Sequence, residues 1–80
     1  MTVRNAIRQR ILDLCDSRNM TVNKMAVECG LTQSTLNSII NTGSKNPTLA
    51  TIAKICTGLN ISMREFFDDE LFEKIEHEMN

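Results

Sequence analysis

The clearest pattern of apolar and polar positions lies between Thr21 and Gly43, and it predicts two short helices joined by a tight turn. In the first helix, four apolar residues share one face at i, i+3, i+4 and i+7. They are Val22, Met25, Ala26 and Cys29. The second helix is buried through Leu36, Ile39 and Ile40. Thr21 and Thr32 are the N-cap residues, and Gly30 supplies the left-handed turn between the helices. This is a helix-turn-helix arrangement.

Apolar stripes on either side of this unit predict three more helices. The first runs from about Val3 to Arg18, with its arginines on other faces. These arginines are Arg4, Arg8, Arg10 and Arg18, and we interpret most of the four as solvated. Thr48 caps a helix that ends near Leu59, where Gly58 and Asn60 are expected to loosen it. Ser62 caps a short helix whose two phenylalanines, Phe66 and Phe67, close the core.

The sequence predicts a domain over residues 1–69, followed by an acidic amphipathic helix or tail over residues 70–80. The apolar stripe of this tail contains Leu71, Phe72, Ile75 and Met79. It either folds back onto its own bundle or packs against a second chain. An 80-residue chain has little spare core to cover, so the second alternative is favoured and the four residues are dimer candidates.

Composition narrows the fold class to all-α. Hydrophobic residues make up 41% of the chain and aromatic residues only 4%, which is typical of an aliphatic helical core. Alternating β-branched runs are absent, so no strands are expected. No segment approaches the roughly 20 apolar residues of a membrane span, and no signal peptide opens the chain. We therefore expect a cytoplasmic protein without membrane contact.

Catalytic and metal-binding chemistry is not expected. The sequence has no Gly-rich phosphate loop and no nucleophile–base pair, and His77 is its single histidine. The three cysteines, Cys15, Cys29 and Cys56, do not have metal-ligand spacing. We interpret them as small buried hydrophobic residues. The sequence thus predicts neither an enzyme nor a cofactor.

The net charge of −1 conceals a strong asymmetry along the chain. Residues 1–64 contain eight basic side chains and three acidic ones, whereas residues 65–80 contain seven acidic side chains and one lysine. The basic residues 1–64 can bind the phosphate groups of a nucleic acid, and the acidic residues 65–80 are expected to lie away from it. The charge distribution therefore favours a nucleic-acid partner.

The second helix of the central unit leaves an uncharged polar face uncovered. No charged residue occurs from Gly30 to Ser44. Gln and Asn can pair with the N6/N7 edge of adenine, and Ser or Thr can reach several base edges. The residues that could do so are Gln33, Ser34, Thr35, Asn37 and Ser38. An ordinary polar surface is the alternative, but the turn geometry favours groove reading.

The loop from Asn41 to Pro47 follows this helix and has two interpretations. Its small polar side chains, free backbone amides and Lys45 are typical of a phosphate-binding loop. A plain connecting turn has the same composition. The sequence by itself leaves both alternatives open.

Residues 7–67 resemble the helix-turn-helix domain of the phage Cro and CI repressors and their bacterial relatives. The matching features are Met25-Ala26, Cys29-Gly30-Leu31-Thr32, Ser34-Thr35-Leu36, Ile39, Ser44-Lys45-Asn46-Pro47-Thr48 and Arg64-Glu65-Phe66-Phe67. The resemblance implies a compact five-helix all-α bundle with a candidate C-terminal helical extension. It also implies binding to double-stranded operator DNA, usually as a symmetric homodimer.

The resemblance also suggests which residues contact DNA. Base-reading or groove-facing positions fall on Gln33, Ser34, Asn37 and Ser38. Backbone contacts are expected from Thr21, Asn23, Lys24, Thr32, Thr35, Thr42, Ser44, Lys45 and Asn46. This chain has Val22 where the family often has a phosphate-binding Gln, so Asn23 or Lys24 takes that role. The loop after Ile39 is one residue longer than in the phage repressors.

These observations lead to two functional hypotheses. The first is a sequence-specific transcription regulator, a repressor that inserts the helix from about Gln33 to Asn41 into the major groove as a homodimer. The alternative is a protein-interaction module, such as an antitoxin, whose acidic tail binds a protein partner.

Overall fold

A computed structural model describes residues 1–42 and 46–75, and every regular element in these ranges is helical. The α-helices are α1 (Val3–Ser17), α2 (Val22–Glu28), α3 (Gln33–Asn37), α4 (Leu49–Leu59) and α5 (Met63–Phe67). A π-helical turn, Ser38–Thr42, continues α3, and a 3₁₀ turn, Glu70–Glu73, follows α5. The predicted five-helix all-α fold is confirmed. None of the helices in the described ranges is long and apolar enough to cross a membrane.

Each α-helix begins at a hydroxyl N-cap whose oxygen accepts a backbone N–H three residues later. The four predicted caps, Thr21, Thr32, Thr48 and Ser62, are confirmed, and Thr2 caps α1 in the same way. These bonds satisfy amides that have no partner within the helix. Glu65 also returns a bond to the backbone N–H of Ser62, which completes a capping box.

The turn between α2 and α3 has the predicted left-handed glycine. Gly30 has φ +67°, and the N–H of Leu31 donates to the carbonyl of Ala26 at 2.9 Å. This bond closes the end of α2 and allows the chain to enter α3 within a few residues. The angle between the two helices is therefore set by one residue that tolerates positive φ.

The core lies where α1, α2, the α3 segment, α4 and α5 converge. Its fully buried side chains are Phe66, Ile11, Met25, Leu36, Ile39, Ile52, Ile55 and Leu59. The three cysteines are also buried and unpaired, as predicted. The partly buried residues Val22 and Phe72 pack against the outside of this core.

Two arginines of α1 are structural, and the expectation that they are solvated is wrong. Arg10 donates to the carbonyls of Phe66 (2.7 Å) and Glu65 (2.8 Å) and forms a 3.2 Å ion pair with Asp69. Arg8 Nε donates to the carbonyl of Ile40 at 2.6 Å. The fork of Arg10 therefore binds the end of α5 to α1, where the last carbonyls of the helix have no amide four residues later in the helix to bond.

The first part of the C-terminal tail folds back onto its own chain. The ring of Phe72 lies 5.0 Å from Phe67 and 6.2 Å from Phe66 between centroids, and the amino group of Met1 donates to the carbonyl of Lys74 at 3.1 Å. Phe72 thus makes the intramolecular contact that was the less favoured alternative. Dimer contacts of the half-buried Leu71 and Ile75 stay a prediction, and Met79 lies outside the described residues.

The expectation that Gly58 loosens the end of α4 is wrong, because Gly58 lies within the helix. Asn60 ends α4, with a left-handed φ of 58°. A Cβ at Gly58 would lie 2.6 Å from Cys29 Sγ, 2.7 Å from Cys29 Cα and 2.9 Å from the carbonyl oxygen of Glu28. Two of these neighbours are backbone atoms, so relaxation would have to separate α2 from α4. Gly58 is therefore the residue that lets these helices touch.

We expect Gly58→Ala to lower the free energy of unfolding by about 1–2 kcal/mol, since overpacking outweighs the gain of about 1 kcal/mol in helix propensity. Thermal or urea unfolding measures this difference. The control is Thr57→Ala at the exposed neighbouring position of the same helix, which should be nearly neutral. A Gly58→Ala variant more stable than the parent would contradict the close contact.

Candidate nucleic-acid interface

The α3 helix buries one face and exposes an uncharged polar face. Leu36 is fully buried against the core, whereas Gln33 and Ser34 are exposed in the first turn. Within the part of the chain that the structure describes, the side chains of Gln33 and Ser34 make no hydrogen bond. Their donors and acceptors are therefore available to an external partner.

The other two base-reading candidates are half-buried and already hydrogen-bonded. The hydroxyl of Ser38 donates to the carbonyl of Ser34 at 2.9 Å. Asn37 Oδ1 accepts a 3.1 Å bond from Asn41 Nδ2. All four candidates lie on one continuous helical segment, and the last two have restricted side-chain orientations.

Asn41 was not among the candidates from the sequence, although it lies on this segment. It is exposed in the π-helical turn, four residues after Asn37. That spacing places two helical residues on one face and was the signal that could have found it. A π-helical turn holds more residues per turn than an α-helical one. The additional residue expected in the loop after Ile39 stays a prediction.

Two of the threonines predicted to contact the DNA backbone, Thr21 and Thr32, are N-caps. Thr32 Oγ1 accepts from the N–H of Thr35 at 3.1 Å, and their two hydroxyl oxygens lie 2.8 Å apart. One hydroxyl proton of this pair is left to donate outward. Thr21 Oγ1 accepts from the N–H of Lys24 at 3.0 Å, so its own proton is likewise available. Capping is thus compatible with a hydroxyl bond to phosphate from Thr21 and from one member of the Thr32–Thr35 pair.

The start of α2 presents a polar side chain and a cation. Asn23 and Lys24 are exposed, and Lys24 Nζ lies 3.4 Å from Glu28 Oε1. Their side chains are 60% and 43% exposed, so this ion pair is weak and can open for a phosphate. Val22 is half-buried and packs against the core, which agrees with assigning the phosphate contact to its neighbours instead.

The predicted phosphate-contacting loop is described only in part. Asn46 is exposed. The side chain of Thr42, and the whole of Ser44 and Lys45, lie outside the described residues. The choice between a phosphate-binding loop and a plain turn therefore stays open.

No group of metal-ligating side chains occurs within residues 1–42 and 46–75. The three thiols are buried in the core, and burial raises the pKa of each above its usual value of 9.0. For Cys29, the Glu28 carboxylate adds to this rise in pKa. The thiols thus remain protonated at neutral pH and are poor ligands and nucleophiles.

Comparisons with known proteins agree with this geometry. The family model for the Cro/C1-type HTH DNA-binding domain matches residues 10–71. The crystal structure of prophage Lp1 protein 11 superposes with a TM-score of 0.80 at 35% identity, covering 94% of this chain and 99% of that one. An HTH_3 family transcriptional regulator from Vibrio cholerae gives a TM-score of 0.75 at 28% identity over 88% of this chain, which spans only 39% of that protein. No curated protein matches.

Proposed function

This chain belongs to the Cro/C1-type helix-turn-helix DNA-binding family, and within it we propose a sequence-specific repressor of transcription. The observation that carries the proposal is the exposed, uncharged face of α3, where the side chains of Gln33 and Ser34 make no hydrogen bond within the described residues. Amides and hydroxyls of this kind discriminate base pairs by hydrogen bonding in the major groove.

The proposed mechanism is occlusion of an operator by a homodimer. Each protomer places α3 and its π-helical turn in the major groove, and two half-sites lie roughly 34 Å apart on one face of the duplex. The hydroxyls of Thr21, Thr32 and Thr35, with Asn23 and Lys24, bind phosphates beside the groove and fix the register. RNA polymerase is then excluded from DNA that the dimer covers.

The proposal is tested by selecting bound duplexes from a random DNA pool and measuring their affinity at two salt concentrations. We expect a palindromic consensus whose binding weakens as salt rises, because counterions released from phosphates drive association. Absence of any enriched sequence would overturn the proposal and favour the protein-interaction alternative. A consensus without twofold symmetry would overturn the homodimer.

Gln33→Ala should lose about 1–3 kcal/mol of binding free energy on the selected operator and relax the preference at one base pair. Affinity for all four base pairs at each operator position measures this. The matched control is Gln9→Ala in α1, where the amide bonds Asp13 at 2.8 Å and should leave the binding profile unchanged. An equal loss on every DNA sequence would show that Gln33 does not read bases.

Lys24→Ala should weaken binding to all sequences alike and reduce the slope of log K against log salt by about 1, because one phosphate contact is lost. Lys54→Ala removes the same charge from the exposed side of α4 and serves as the control. Equal changes in slope for both variants would indicate a general charge effect and contradict a specific contact at Lys24.

A further inference from the structure

We propose that Asn41 is a positioning residue for DNA readout, which fixes the amide of Asn37 and so sets the base that Asn37 prefers. This inference rests on the proposed function and deepens it. The observation behind it is the 3.1 Å hydrogen bond from Asn41 Nδ2 to Asn37 Oδ1. Both residues lie on α3 and its π-helical turn, which we call the recognition segment.

The chemistry of a primary amide makes such a partner consequential. Oδ1 accepts hydrogen bonds and Nδ2 donates them, yet the two ends have almost the same shape. An unsupported amide can rotate and exchange them, and it then offers the opposite pattern to a base edge. With Asn41 donating, rotation of the Asn37 amide alone would place two NH₂ groups against each other. The Asn37 amide can therefore turn over only together with that of Asn41, and in the structure it keeps Oδ1 toward Asn41 and Nδ2 away from it.

The orientation still allows Asn37 to read a base. Oδ1 has a second lone pair, and both hydrogens on Nδ2 are directed away from Asn41. A donor and an acceptor in fixed order match the N7 and N6 edge of adenine in one orientation of the base pair only. The contact with Asn41 would thus distinguish A·T from T·A at the position that Asn37 reaches.

The backbone that carries Asn41 is itself anchored from the core. Ile39 and Ile40 are 2% and 4% exposed, and the carbonyl of Ile40 accepts the 2.6 Å bond from Arg8 Nε on α1. The residue before Asn41 is therefore held by burial and by a charged donor. This anchoring keeps Asn41 beside Asn37, so that the two amides stay in contact and neither can turn over by itself.

The test compares Asn41→Ala and Asn41→Asp with Asn37→Ala on the wild-type consensus and its single-base-pair variants. Asn41→Ala should reduce discrimination about five- to tenfold at the same base pair that Asn37→Ala affects, and at no other. Asn41→Asp can only accept, so Asn37 must turn Nδ2 toward it and the preferred base at that pair should change. Since the added negative charge weakens binding to every sequence, the readout is the ratio between sequences.

Three further measurements make the result decisive. The double variant Asn37→Ala/Asn41→Ala should have the profile of Asn37→Ala alone, because Asn41 acts through Asn37. Asn5→Ala, at an exposed position on α1, is the matched control and should leave the profile unchanged. Thermal unfolding should show equal stability for the Asn41 variants and the parent, because the exposed side chain lies outside the core.

The outcomes separate this role from the proposed function. If the wild-type chain selects no DNA sequence, the function and the role both fail. If it selects a consensus and Asn41→Ala leaves the profile unchanged, only the role fails. A uniform loss of affinity would make Asn41 a phosphate contact, and a changed preference at a different base pair would make it a base reader; either result overturns the positioning role.

Discussion

The helices of this protein are too short to persist without external support, and the rest of the structure follows from that constraint. Isolated helices shorter than about 12–15 residues are marginal in water, yet α2 has 7 residues and α3 and α5 have 5 each. A hydroxyl cap at each start and one shared core supply the missing stability. Because every helix depends on the others, a small aliphatic core can hold a polar reading face in a defined position.

The shortness of the helices also explains why arginines of α1 donate hydrogen bonds to other helices. As the longest helix, with 15 residues, it donates from Arg10 to the end of α5 and from Arg8 to the end of the recognition segment. Carbonyls at helix ends lack internal partners, and short helices have a large share of such ends. The two arginines therefore hold in place the elements that have the least stability of their own.

Local and periodic features of the sequence were enough to predict the fold. The caps Thr21 and Ser62 and the turn residue Gly30 interact with residues close to them in sequence, so the rules for helix caps and turns were enough to predict them. Gly58 and Arg10 act on residues far along the chain, on Cys29 and on the carbonyl of Phe66. Neither pattern nor propensity contains that information. In the candidate site, the face of α3 was predictable from polarity. The spacing of Asn37 and Asn41 places both on one helix face, but spacing alone does not show that their amides form a hydrogen bond.

Under the proposed function, the residues that attract DNA and the residues that discriminate between base pairs lie on different elements. The sequence from Gly30 to Ser44 is uncharged, so the recognition segment itself contributes little attraction to phosphate. Cations such as Lys24 lie on neighbouring elements, and under the proposed function they would attract all DNA alike. On an uncharged face, each mismatched base edge leaves a polar side chain without a hydrogen-bond partner, and no nearby charge compensates for that loss. Under the proposed function, such a face would discriminate through the orientation of its amides more than through their number.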